Sequence, residues 1–465
     1  MNPTELVAAQ VARARAAQAQ VELYTQQQAD DLALACAWAI MEPARNRALA
    51  ELAVRDTGLG NVADKITKNH RKTLGLMRDL QQARTVGVIA EYPERGVVEI
   101  ARPVGVVAAI TPSTNPGATP ANKIINAVKC RNAIIIAPSP KGQSTAALLL
   151  DYVHAEFAKI GAPADLVQVL PAPVTKEATF ELMRQADLVV ATGSQANVRA
   201  AYTSGTPAFG VGAGNVASIV DAGADLARAA ALIARSKTFD NATSCSSENS
   251  VIIVDAVYDA MLAEFARIGG MRVTPDEKAR LQATMWPAGK LAPAVTAQSS
   301  ARIAALAGLT RAGFAESRFL LVEDSGAGRD CPFSGEKLSP VLTVYRARDF
   351  AEAREQVRAI YAFQGAGHSV SYHGSDDAHI LDLGLHLPVA RVIVNQAHAI
   401  ATGCSFDNGL PFSLSMGCGT WGRNNFSDNM TYRHYLNITR IARPIPEQVP
   451  ALDDIFGDYH RRHGA

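Results

Sequence analysis

The chain lacks any surplus of charge: 45 Lys and Arg stand against 44 Asp and Glu, a formal net charge of +1. No run of Lys and Arg forms a stripe, which excludes a nucleic-acid partner of the usual electrostatic kind. An anionic small molecule is still allowed, because a site needs one or two local cations and not a basic surface. Cysteine is scarce as well. The six thiols (Cys36, Cys130, Cys245, Cys331, Cys404, Cys418) are far apart and form no CxxC or His-spaced pattern. That argues against a disulfide framework and against any metal site. No apolar run reaches the roughly 18–20 residues that a membrane span requires. Repeats, low-complexity tracts and long linkers are absent too.

What is present is an ordinary globular composition, 465 residues of which 48% are hydrophobic and 19% charged. This is enough for two or three domains. The N-terminal stretch MNPTELVAAQVARARAAQAQ has the alanines and scattered arginines of a transit peptide but no cleavage site, and is read as a helix of the fold. The expected compartment is the cytoplasm. Thr25 with Gln28 makes a capping box, a further helix follows Pro43, and Gly58 and Gly60 can end it. Residues 86–101 predict a β-hairpin around Pro93–Gly96.

Short β-branched runs then alternate with helical segments. They lie at 104–110, 133–136, 166–170, 188–191 and 216–220, with a second set at 250–254, 318–322, 341–345, 369–372 and 389–395. Continuous apolar strands between helices mean parallel sheets covered on both faces, an α/β fold. The expected organisation is a first unit over 1–238 that includes the hairpin, a second over 239–430, and a C-terminal segment 431–465 that packs on a partner subunit.

Five segments carry chemistry. In SKTFDNATSCSSENS (236–250), Cys245 sits among small hydroxyl residues at the junction of the two units; alone it reads sooner as a structural thiol. In GVVAAITPSTNPGATPANK (105–123), a strand ends in a turn that presents Asn115, either an oxyanion donor or a plain turn-former. VATGSQA (190–196) runs from strand through glycine into a helix start, where backbone N–H groups suit phosphate. FGVGAGN (209–215) reads as a flexible loop, and GEKLSP (335–340) sets Glu336 before a strand.

In this order the segments resemble the aldehyde dehydrogenase superfamily, and most closely its CoA-acylating branch, over essentially the whole chain. The matching motifs are T-P-S-T-N-P at 111–116, R-N-A-I-I at 131–135, A-T-G at 191–193, A-Y-T-S-G-T-P-A at 201–208 and G-V-G-A-G-N at 210–215. S-K-T-F-D-N at 236–241, E-K-L-S-P at 336–340, G-x-G-H at 365–368 and G-C-G-T-W-G at 417–422 complete them. The resemblance implies two Rossmann-like parallel-sheet domains with a subunit-bridging hairpin and tail, hence a homodimer or homotetramer. It makes Cys245 the nucleophile and Asn115 the oxyanion donor. Thr111, Pro112, Ser113, Thr192, Gly193, Ser194, Gly212, Glu336 and His368 are its expected cofactor-binding residues.

The implied chemistry is addition of the Cys245 thiolate to an aldehyde, hydride transfer to NADP or NAD, and a thioester that remains on the enzyme. Hydrolytic members activate water with a glutamate, and Val211 stands at its position here. Valine takes no proton, so the thioester is expected to wait for a second thiol, coenzyme A. Ala137 replaces the lysine of many hydrolytic members and Lys141 follows it, which allows NADP. Arg423, where the bifunctional aldehyde–alcohol dehydrogenases carry glycine, is a candidate contact for an anionic substrate tail. The chain is also similar to acylating sulfoacetaldehyde dehydrogenases, which puts sulfoacetaldehyde first among substrates and acetaldehyde second. The rival readings are a hydrolytic aldehyde dehydrogenase, an acyl-phosphate reductase and a non-catalytic assembly protein.

Overall fold

A computed structural model describes residues 2–212 and 214–464; Ala213, inside the G-V-G-A-G-N run, lies outside them. The chain opens with four helices, Pro3–Val21, Gln26–Met41, Pro43–Thr57 and Val62–Leu80. The first starts in a capping box of Asn2 and Glu5 and buries Val7, Val11, Ala14, Ala17 and Val21. Their spacing of three and four residues makes one apolar face, which packs on a sheet, so this helix belongs to the fold. The Thr25–Gln28 capping box forms as expected. Gly58 ends the third helix at φ 68°, a left-handed conformation that suits glycine.

Strands β1 (Gly87–Tyr92) and β2 (Val97–Pro103) form the expected hairpin. Strands β3 (Val106–Thr111), β4 (Ala133–Pro138), β5 (Val167–Val169), β6 (Leu188–Thr192) and β7 (Ala208–Val211) make a parallel sheet in the order β5-β4-β3-β6-β7. A second parallel sheet contains β8 (Val216–Val220), β9 (Glu248–Val254), β10 (Gly270–Arg272), β11 (Phe319–Glu323), β12 (Val341–Ala347), β13 (Val370–His373) and β14 (Val392–Val394). Its order is β10-β11-β12-β9-β8-β13-β14. Every residue of β3, β4, β8 and β9 is buried, as strands covered by helices on both faces must be. Finally β15 (Leu436–Ala442) returns to pair antiparallel with β2, joining the tail to the hairpin.

The structure corrects two expectations and adds one strand. β8 pairs with β9 and β13, and the helix Leu226–Thr238 packs on that same sheet. The chain therefore passes from one sheet to the other between Val211 and Val216, not near 238, and residues 216–238 go with the second unit. A buried β-branched strand looks the same in either sheet, so its pairing is not written in its own residues. The segment 209–215 is not all loop, because Phe209–Val211 are part of β7. Gly210 hid that strand: a Cβ there would lie 2.8 Å from Val198 and 3.0 Å from Tyr202. The short β10 carries too few apolar residues to be seen. Among the described residues no helix is long and apolar enough to cross a membrane.

Candidate active site

The five-stranded sheet reverses its order between β3 and β6, because the chain builds outward through β4 and β5 and then restarts at β6 on the other side. Such a switch point leaves a crevice at the carboxyl ends of the strands, where open α/β sheets bind ligands. Thr111 ends β3 and Thr192 ends β6, so both fall there. Pro112 and Ser113 are half-buried beyond Thr111, and Gly193 turns the chain at φ 146°. Ser194 caps the helix Gln195–Tyr202 by accepting the Asn197 N–H at 3.3 Å. The Oγ atoms of Thr111 and of Ser139, just past β4, are buried without a hydrogen-bond partner. At Gly212 a Cβ would meet the Gln195 amide at 2.4 Å, so the backbone lies flush against the helix start. Unpaired hydroxyls and close backbone at a helix start fit a nicotinamide dinucleotide.

The second sheet supplies the thiol. Before β9 the chain makes a tight bend in which Asp240, Asn241 and Ala242 are all left-handed, with φ 51°, 51° and 58°. Non-glycine residues hold that conformation only when their surroundings impose it. Asp240 is the anchor: its buried carboxylate accepts from Lys68 Nζ at 2.6 Å, Lys65 Nζ at 3.1 Å, Thr243 Oγ1 at 2.8 Å and the Asn61 N–H at 3.0 Å. Burial works against this charge, but the two ammonium groups hold the carboxyl below its ordinary range. Gly60 makes room, since a Cβ there would lie 1.8 Å from Asp240 Oδ1. Burial and the neighbouring Lys68 lower Lys65 to about 8.

The bend delivers Cys245, half-buried, with Sγ 3.5 Å from His368 Nε2. The other ring nitrogen of His368 lies 2.6 Å from Ser369 Oγ. Gly214 closes over the pair: a Cβ there would lie 2.3 Å from the Cys245 carbonyl oxygen and 3.1 Å from His368 Cδ2. Burial, with Glu336 and Cys418 nearby, pushes the Cys245 thiol up to about 12. Burial, with Arg391 and His398, pushes His368 well below its ordinary value. The resting pair is thus a thiol beside a neutral imidazole. Each charge is unfavourable alone. Proton transfer from sulfur to His368 makes both at once, and opposite charges this close attract by about 4 kcal/mol at an effective dielectric of ~20.

Asn115 is oriented by Lys68, whose Nζ donates to Asn115 Oδ1 at 2.7 Å. An ammonium can only donate, so it fixes the oxygen end of the amide and leaves the Nδ2 hydrogens for another acceptor. Lys68 also donates to Asp240 and to Thr243 Oγ1 at 3.1 Å, which uses all three of its hydrogens. Neither Lys68 nor Asp240 was singled out in the sequence. The signals were there: S-K-T-F-D-N contains Asp240, and Lys65, Lys68 and Lys72 recur at one helical face.

Comparison with known proteins shows the family. Residues 2–305 match the model described as the aldehyde dehydrogenase family. The acylating sulfoacetaldehyde dehydrogenase of Cupriavidus necator is 70% identical over 99% of this chain and 93% of its own length. The chain belongs to the aldehyde dehydrogenase family. The acetylating succinate-semialdehyde dehydrogenase of Clostridium kluyveri is 39% identical over 96% of this chain and 98% of its own. A crystal structure of an acetylating aldehyde dehydrogenase from Geobacillus thermoglucosidasius superposes with a TM-score of 0.92 at 35% identity, covering 97% of this chain and 98% of that one.

In this aldehyde dehydrogenase Val211 is a buried apolar residue at the end of β7, with no proton to exchange. The carboxyl near the thiol is Glu336, which accepts the Gly214 backbone N–H. Burial raises it to about 8, despite that bond and the nearby Lys237, so near neutral pH it is mostly protonated and a poor base. His368, expected near the cofactor and the active site, lies in contact with Cys245.

A cavity of about 340 Å³ runs from Asn115 and Ser244, the neighbour of Cys245, outward along the helix Val62–Leu80. Lys68, Arg71, Lys72, Arg235 and Arg318 line it, against the single carboxylate of Asp64. Arg423 is not among the lining residues. It is exposed, in the left-handed conformation at φ 59° where glycine fits without strain, and lies outside this cavity.

Proposed function

We propose that this chain is a CoA-acylating aldehyde dehydrogenase that oxidises sulfoacetaldehyde with NADP, or less readily NAD, and yields sulfoacetyl-CoA. The observation that carries the acylating chemistry is a half-buried thiol in contact with a neutral imidazole, near an oriented amide, with no ionised carboxylate among the described residues placed to activate water. Cys245 gives its proton to His368 and its sulfur bonds to the aldehyde carbon. The new oxyanion takes hydrogen bonds from Asn115 Nδ2 and from a backbone N–H near Cys245. A nicotinamide cofactor held by Thr111–Ser113, Thr192–Ser194, Gly212 and Glu336 supplies the hydride acceptor. Oxidation leaves a thioester on Cys245. His368 releases its proton to solvent and then takes the proton of the CoA thiol; that sulfur attacks the thioester carbonyl, and Cys245 leaves as a thiolate that is reprotonated by His368.

The substrate assignment rests on the cations of the cavity and on the 70% identity to a sulfoacetaldehyde enzyme. Lys141, exposed just past β4, favours a 2′-phosphate and hence NADP. We further propose a homodimer or homotetramer, since the tail beyond β15 exposes Ile445, Val449, Leu452 and Ile455. Six free cysteines suit the reducing cytoplasm.

The test is to follow reduced nicotinamide with sulfoacetaldehyde and NADP, and with acetaldehyde and NAD, each with and without CoA. Sustained turnover that requires CoA and favours sulfoacetaldehyde is expected. Equal turnover without CoA would mean that water resolves the thioester, and a preference for acetaldehyde would remove the sulfonate.

A further inference from the structure

We infer that Arg71 is the anion-binding residue of the aldehyde cavity, holding the sulfonate tail of the substrate while Asn115 holds its carbonyl end. This rests on the proposed sulfoacetaldehyde activity and names the group that would recognise it.

The cavity has five cationic side chains, and their existing partners decide which is available. Lys68 spends its hydrogens on Asn115, Asp240 and Thr243. Lys72 donates to the carbonyl oxygens of Ile400, Gly403 and Cys404 at 3.0, 2.9 and 2.7 Å, and burial lowers it to about 7. Arg318 is exposed and donates to the Ile268 carbonyl at 3.3 Å. The Arg235 side chain makes no hydrogen bond or ion pair with a described residue, but it is exposed, where water screens a bound anion. Arg71 is half-buried and makes no hydrogen bond or ion pair with any described residue. The one carboxylate, Asp64, is turned to other work: its Oδ2 accepts the Asp240 N–H and the Asn61 amide, each at 2.7 Å.

The Arg71 guanidinium carbon lies 5.1 Å from the Phe406 ring centroid. This contact braces the planar group while leaving its N–H edge for a ligand. Two parallel N–H donors match two oxygens of a sulfonate or a carboxylate. Arg71 stands three residues beyond Lys68 on the same helix face, about 4.5 Å further along the axis. A two-carbon aldehyde held at Asn115 therefore points its anionic end along the cavity toward Arg71. A half-buried guanidinium without a counter-charge is costly in the empty enzyme, and an anionic substrate removes that cost.

The experiment compares kcat/KM for sulfoacetaldehyde and for propionaldehyde in the wild type, Arg71→Gln, Arg71→Lys and Arg235→Gln. It adds protection of Cys245 from iodoacetamide by ethanesulfonate, which needs no turnover. For Arg71→Gln the expected result is a loss of about 100-fold on sulfoacetaldehyde, mostly in KM, with propionaldehyde unchanged and protection abolished. Arg71→Lys should recover part of both, and guards against a glutamine variant that fails to fold. Arg235→Gln should change either value by less than about threefold. A wild type with no preference for the sulfonated aldehyde would overturn the functional reading itself. A wild-type preference that survives in Arg71→Gln, or an equal loss on both aldehydes, would overturn the role of Arg71 alone.

Discussion

The two approaches to Cys245 are built from different materials. On one side the crevice between β3 and β6 is made of backbone, glycine and small hydroxyls: Thr111, Thr192–Ser194 and Gly212. On the other, the cavity is walled by long cationic side chains of the helix Val62–Leu80, most of them already paired. A dinucleotide is the same in every turnover and can be met by fixed backbone. A small aldehyde has little surface, so its recognition falls to a few charges, and each charge near the nucleophile has to be balanced when no ligand is there.

That contrast can be broken at several points. The largest effect is expected from Asp240→Asn, which strips two buried ammonium groups of their counter-charge and releases the strained bend. It should cost about 3–5 kcal/mol of stability in denaturant unfolding; a change below about 1 kcal/mol would mean that the charges do not hold the bend. Next, Asn115→Ala should lower kcat by about 100–1,000-fold. Lys68→Met should fall nearly as far, and the double variant little further, because the lysine acts through the amide. Fully multiplicative losses would separate the two residues.

On the cofactor side, Thr111→Val removes a buried hydroxyl that has no protein partner. Stability should hold or rise slightly, while KM for NADP increases about three- to tenfold, the worth of one hydrogen bond. An unchanged KM would remove Thr111 from the cofactor site. The smallest effect is expected from Arg423→Gly: a stability change under about 1 kcal/mol, since relief at a left-handed position offsets lost backbone entropy. Its kcat/KM for sulfoacetaldehyde should stay within about twofold, and a selective loss would return Arg423 to the substrate.

The same contrast explains what could be read from the sequence. The crevice between β3 and β6 is written in contiguous strand–turn–helix segments, and Thr111, Thr192, Gly193 and Ser194 fall where those segments place them. Cys245 and Asn115, the proposed nucleophile and oxyanion donor, likewise each stand in a local motif. The aldehyde side is not contiguous. Lys68 meets Asp240 across 172 positions and Asn115 across 47, and only the fold brings them together. Arg71 looks like any solvated helix arginine until the partners of its neighbours are known. Arg423 drew notice because it replaces a glycine, yet the conformation that favours glycine there is a backbone matter. The placement of β8 failed on the same ground, since strand pairing depends on the whole sheet.

The central claim is that the Cys245 thioester survives water and yields to a thiol. The most direct measurement is mass spectrometry of the intact protein after one turnover with sulfoacetaldehyde and NADP but no CoA. The expected result is a stoichiometric burst of reduced cofactor and a sulfoacetyl adduct on the Cys245 peptide, which persists for many turnover times and disappears when CoA is added. Continued cofactor reduction without CoA, or a burst that leaves no adduct on Cys245, would contradict it.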